Sequence, residues 1–203
     1  MSEPQSGVHA PKRGRPGYDR RRVLEVAVGV FNERGYDATS IADVAGELGL
    51  TKSALYHHFE SKSAMLDVAL GTALDGLERV VDDAVAENPL ASDRLRAIVR
   101  GAVRVLTEEL AAVTLLLRVR GNSEVELAAL ERRRVFDQRV TAIVADAQRE
   151  GLIREDVGAG IATRLIFGMI NSVVEWYRPD GSVDPDELAD DILRVGLEGL
   201  HPR

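Results

Sequence analysis

Along almost the whole of this chain, apolar side chains recur every three or four residues. Val23, Val26, Ala27 and Val30 stand at i, i+3, i+4 and i+7, the spacing that gathers them on one face of a helix. The period returns in Ile41, Val44, Ala45 and Leu48, and again in Leu66, Leu70, Leu74 and Leu77. No stretch keeps the two-residue alternation of a half-buried strand. The pattern predicts an all-α fold. Composition supports it, because Ala, Val, Leu, Glu and Arg dominate and only 4% of the 203 residues are aromatic.

Capping residues and glycines divide the pattern into about nine helices. The first ends near Gly35. Ser40 and Asp43 have capping-box spacing at the start of a second, which Gly49 stops. Thr51 caps a third running to about Phe59, and Ser61 opens a long fourth that ends before Asn88. Further helices are expected at about 93–110, 112–119, 124–150 and 157–178. A last one, at about 185–200, has Asp184 as N-cap, Pro185 at N1 and Glu187 at N3. Residues 1–17, rich in Pro, Gly and Ser, read as a disordered basic arm. Three short helices (18–67) then precede a longer bundle (68–203).

Several function classes drop out. Without cysteine there is no disulfide, thiolate metal site or cysteine nucleophile. No Gly-x-Ser-x-Gly, His-Glu-x-x-His or glycine-rich phosphate loop occurs. The N-terminus has no apolar leader core, and the near-apolar run 165–177 is shorter than the roughly 20 residues that cross a bilayer, so the cytoplasm is expected and no membrane. Charge is unevenly spread. Residues 1–22 hold six Lys/Arg against Glu3 and Asp19, a net +4 on a chain of net −7. A basic arm on an acidic body points to electrostatic contact at one end only.

Residues 41–59 carry the most specific geometry. Ala45 permits close helix approach, Gly49 can take positive φ four residues later, and Leu55 anchors the next helix; these offsets describe a helix-turn-helix. At 100° per residue, Thr51, Leu55, His58 and Phe59 occupy a core-facing arc. Lys52, Ser53, Tyr56 and His57 occupy an outward one, and with a positive helix N-terminus they suit phosphates and base edges. Adjacent histidines diverge by about 100° and do not share one metal, whose useful spacing is i, i+4. No metal site and no cofactor is expected.

The stretch GYDATSIADVAGELGLTKSALYHHFESKSAML (35–66) resembles the DNA-binding region of TetR-family transcriptional regulators, in register over about residues 20–67. The resemblance implies a homodimer that sets two recognition helices in successive major grooves of a palindromic operator. By position it implies phosphate contacts from Thr39 or Ser40, Tyr56, His57 and Lys62, and base or backbone contacts from Thr51, Lys52 and Ser53. Many family members have glycine where this chain has Ser53 or Ala54, so base readout there does not carry over. Arg13 and Arg15, in R-G-R-P, suit a narrow minor groove, although a solubilising tail accounts for them equally well.

The bundle offers candidates for a small-molecule effector. Arg118 and Arg120 could meet an anionic group, and Phe136, Phe167, Met169 and Trp176 could line an apolar cavity. Asn171, Ser172 and Glu175 interrupt an apolar helix and need partners. Core packing competes with each of these assignments. In TetR-like proteins the last two helices form the dimer interface, and Gly168, Leu193, Gly196, Leu197 and Leu200 suit one. The ending W-Y-R-P-D-G is similar to a subset of the family that senses acyl-CoA thioesters. Two rivals stand beside this regulator: a helical interaction module without specific DNA binding, and a helical enzyme using Glu175 or His57 in acid–base work.

Overall fold

The computed structural model describes residues 19–199, with the backbone alone for Glu198. The expected arm with Arg13 and Arg15, and Leu200, lie outside the described residues. Within them the chain forms nine α-helices and no strand: α1 (Arg20–Arg34), α2 (Ile41–Glu47), α3 (Lys52–Tyr56), α4 (Lys62–Glu87), α5 (Ala91–Glu108), α6 (Leu110–Arg118), α7 (Glu124–Arg149), α8 (Ala159–Ser172) and α9 (Pro185–Leu193).

Six of the helices, α1, α2, α3, α4, α7 and α9, start where an N-cap side chain satisfies an orphan first-turn N–H group. Ser40 Oγ accepts from Asp43 N at 3.2 Å, and Asp43 Oδ2 accepts from Ser40 N at 2.7 Å, which completes the capping box of α2. Thr51 caps α3 through Ala54 N at 3.2 Å, and Ser61 caps α4 through Ala64 N at 3.0 Å. Asp184 Oδ1 accepts from Asp186 N and Glu187 N at 2.9 and 3.0 Å, ahead of α9.

Three helix ends depart from the expected bounds. α3 stops at Tyr56 rather than Phe59, because the N–H groups of His58 and Phe59 both close onto the Leu55 carbonyl, at 2.9 and 3.1 Å. That turn swings Phe59 inward, where its ring lies 4.4 Å beneath the Arg20 guanidinium. α8 gives way to a 3₁₀ turn at Val173–Glu175; Trp176 N and Tyr177 N both reach the Val173 carbonyl, and buried Tyr177 anchors the end. α9 widens into a π-turn at Arg194–Glu198 that brings Gly196 against α8. A Cβ on Gly196 would stand 2.9 Å from Met169 Cε.

α4 runs through both parts of the molecule and packs against α1, α5, α6 and α7. Its buried stripe, from Met65 and Leu66 through Leu70, Leu74, Val81 and Ala84, makes one continuous core with α1 at one end and α5 and α7 along the rest. The α4–α5 crossing is close: a Cβ on Gly101 would meet Val80 Cγ1 at 2.5 Å. α8 and α9 close the far side of the bundle.

Candidate nucleic-acid interface and effector chamber

α2 and α3 meet through small contacts. Ala45 is buried, Gly49 has φ +62°, and Leu50 N donates to the Ala45 carbonyl at 2.8 Å, so the chain reverses within three residues. Leu55 is fully buried and fixes the rotation of α3. That rotation leaves Lys52, Ser53, Tyr56 and His57 exposed, Tyr56 by 52%. None of these four side chains bonds to another described residue, so their polar tips are free. Thr51, expected on the core-facing arc, is exposed, with its hydroxyl capping α3. His58 is half-buried, and its carbonyl accepts from Arg20 Nε at 3.4 Å.

At the start of α2, Thr39 is buried and its hydroxyl donates to the Gly35 carbonyl at 2.7 Å, while exposed Ser40 donates its hydroxyl to Asp43 at 2.6 Å. Those Ser40 hydrogen bonds, with Arg34 and Lys52 nearby, hold the Asp43 carboxyl below the usual range. Lys62 turns inward. Its Nζ donates to the Tyr36 and Thr39 carbonyls at 2.8 and 2.9 Å and lies 4.1 Å from the centre of the Tyr36 ring. It therefore ties α4 to the α1–α2 turn.

The expected effector residues separate into four places. Phe136 and Phe167, in edge-to-face contact with centroids 5.3 Å apart, line a cavity of about 110 Å³ with half-buried Asn171 and with Leu74, Leu77 and Leu116. Arg133 lines the same cavity. Arg118 and Arg120 lie elsewhere, on a 300 Å³ cleft between α1 and the α6–α7 loop. Ser172, Glu175 and Trp176 are exposed, Trp176 by 49%; Ser172, expected inside an apolar helix, bonds only back to the Met169 carbonyl at 2.7 Å. Met169 borders a third cleft, of about 480 Å³, near the end of α9.

The 300 Å³ cleft is where head and bundle are joined. Arg118 Nη1 donates to the Asn32 carbonyl at 2.6 Å, filling an orphan acceptor in the last turn of α1. Asn32 Nδ2 donates to the Ala111 carbonyl at 2.8 Å, and Asn122 Nδ2 to Asp37 Oδ2 at 3.1 Å. The loop carrying Asn122 is held by buried Glu126, whose Oε2 accepts from the backbone N–H groups of Arg120, Gly121 and Asn122 at 3.0, 2.7 and 2.9 Å. Sequence reasoning missed Arg20, Asn32, Glu126 and Arg133. Only Glu126 carried a local signal, the Ser123-x-x-Glu126 spacing of a capping box.

Residues 23–69 match the family model described as bacterial regulatory proteins, tetR family, and residues 89–200 match that of a tetracyclin repressor-like C-terminal domain. The HTH-type transcriptional repressor KstR2 of Rhodococcus jostii is 30% identical, over 98% of each chain. The crystal structure of SCO3833, a TetR-family regulator from Streptomyces coelicolor, superposes with a TM-score of 0.84 at 49% identity, covering 89% of this chain and 91% of that one. AibR, crystallised with isovaleryl coenzyme A and operator DNA, superposes with a TM-score of 0.73 at 26% identity, covering 87% of this chain and 96% of its own.

Proposed function

The chain belongs to the TetR family of transcriptional regulators, and from that premise we propose that it is a ligand-responsive repressor that binds a palindromic operator as a homodimer. The observation that carries the reading is the split across α3: Leu55 is sealed in the core while Lys52, Ser53, Tyr56 and His57 stand free on the outer face. An ammonium, two hydroxyls and an imidazole supply donors for phosphate oxygens and base edges.

In this reading residues 18–67 form the DNA-reading head and 68–203 the effector and dimerisation body. Their boundary falls inside α4, a continuous helix core-packed at both ends. The dimer forms through α8 and α9. Ile161 and Leu165 on α8, and Val195 in the π-turn after α9, are 53, 62 and 39% exposed, an apolar face that a twofold-related copy would cover. Two heads so paired would stand about one helical turn, ~34–36 Å, apart on the duplex.

The effector occupies the Phe136–Phe167 chamber, and an acyl-CoA is the class that the likeness to AibR favours. Release of DNA requires that the effector bind two conformations of the protein unequally. Arg118, Asn32 and Asn122, which bond the body to the head, are where a shift of α6 would reach the reading helices.

Selection of bound duplexes from a random pool, followed by gel-shift titration of the recovered sequence, tests the reading. Enrichment of an inverted repeat with half-sites about one turn apart is expected. Recovery of no common sequence, with only weak and salt-sensitive binding to every duplex, would instead favour a module without operator specificity.

A further inference from the structure

The chamber between α4, α6, α7 and α8 contains an electrostatic anomaly. Arg133, on α7, is half-buried against Leu74, Leu77, Val113 and the Phe136–Phe167 pair. Its one hydrogen bond to a described residue runs from Nη1 to the Leu116 carbonyl, at 3.2 Å. No carboxylate of the described residues comes within ion-pair distance; Asp137, one turn along α7, lines the chamber without bridging to it. Burial pushes the guanidinium below the usual arginine range, and repulsion from Arg120 adds to this. Arginine nonetheless stays protonated in proteins. The charge is therefore held among apolar walls with a single neutral acceptor, a costly arrangement that an incoming anion would relieve. Arg132, beside it on α7, is by contrast bracketed by Asp75 and Glu78.

We propose that Arg133 is the anion receptor of the effector chamber, and that the effector is a small apolar group attached to an oxyanion that docks on this guanidinium. This inference rests on the chamber being the effector site. The size of the apolar group is bounded, because 110 Å³ is smaller than the roughly 150 Å³ apolar cavity that accepts one benzene. A few carbons, packed against the Phe136–Phe167 pair, fill it. The oxyanion is a carboxylate in a free acid or a phosphate in a coenzyme A ester. Half-buried Asn171 supplies a second polar tip in the chamber. The charge also has a mechanical connection. An anion that draws Arg133 away from the Leu116 carbonyl acts on the last turn of α6, whose Arg118 holds the head through the Asn32 carbonyl.

The test uses the full-length protein and three ligand series: C4–C8 straight and branched acids, their coenzyme A esters, and their neutral amides. Affinity is read by titration calorimetry and thermal shift on the wild type, Arg133→Leu, Arg133→Lys and Phe167→Trp. At least one anionic series is expected to bind the wild type more tightly than the amides do. Arg133→Leu should weaken that binding tenfold or more, leave the amides unchanged, and be largely rescued in Arg133→Lys. Which series binds tells carboxylate from phosphate. If Phe167→Trp abolishes binding while Arg133→Leu binds anions like the wild type, the proposal is overturned and the chamber stands. If anions bind and Phe167→Trp changes nothing, or if no anion binds the wild type, the chamber and the proposal fall together.

Discussion

Lys52 and Lys62 lie ten residues apart on neighbouring helices, and both were expected at phosphates, yet their surroundings differ. Lys52 is exposed with no partner among the described residues, so it can exchange water for phosphate without breaking a protein contact. Lys52→Ala is expected to weaken operator binding and to lower the salt slope by about one, with folding unaffected; gel shifts across a salt series measure both. Lys62 has its ammonium on the Tyr36 and Thr39 carbonyls and the Tyr36 ring. Lys62→Met should cost about 1.5–3 kcal/mol of stability in denaturant unfolding, the range for hydrogen bonds to a charged group, and leave the salt slope nearly as it was. A changed slope at full stability would return Lys62 to the phosphate contacts. Sequence position made the two lysines look alike. Only the path of the α1–α2 turn beneath α4 tells them apart, and that path depends on packing such as the edge-to-face contact of Tyr36 with Phe31.

At the scale of the element, helix starts were legible because caps act locally. Ser40, Thr51, Ser61 and Asp184 each reach an N–H group two or three residues away, so a short window contains the whole interaction. Ser40→Ala should cost about 1 kcal/mol at neutral pH, seen as a lower unfolding midpoint. The penalty should shrink in acid. Ser40 holds the Asp43 carboxyl below its ordinary value in the folded state, so this stabilisation is present above the unfolded pKa and is lost as pH falls through the lower, folded one. A penalty that stays constant below about pH 4 would mean that the Ser40–Asp43 exchange contributes nothing. Helix ends were less legible. α3, α8 and α9 all stop or change pitch before their apolar period does, because Phe59, Tyr177 and Gly196 are drawn toward partners on other helices.

For the whole molecule, the unanswered demand is the apolar face on α8 and α9. Leu165, 62% exposed at its centre, is more than a lone surface leucine, since Ile161 lies one turn away on the same helix. Leu165→Glu is expected to convert a dimer to a monomer in sedimentation equilibrium and to lower operator affinity by far more than Lys52→Ala does. The reason is that a single head loses the gain in effective concentration from its tethered partner. A variant that remains dimeric would move the interface off this face. The same scale explains why the expected effector set did not hold together. Arg118, Phe136 and Trp176 share a chemistry that suits ligands, but the bundle sends one to the head, one to a chamber and one to the surface.

What the chain by itself determined were the features whose physics closes within a few residues: the nine helices of the described residues, the caps of α2, α3, α4 and α9, the turn at Gly49, and the outward arc of α3, which follows from Leu55 and a 100° step. What only the tertiary structure decided were the pairings between distant segments. Lys62 found the carbonyls of Tyr36 and Thr39, Arg118 found α1, and Arg133 was left with no carboxylate of the described residues within ion-pair distance. Helical periodicity states which way a side chain faces on its own axis. It does not state which helix lies opposite, and burial, ion pairing and cavity shape all depend on that neighbour.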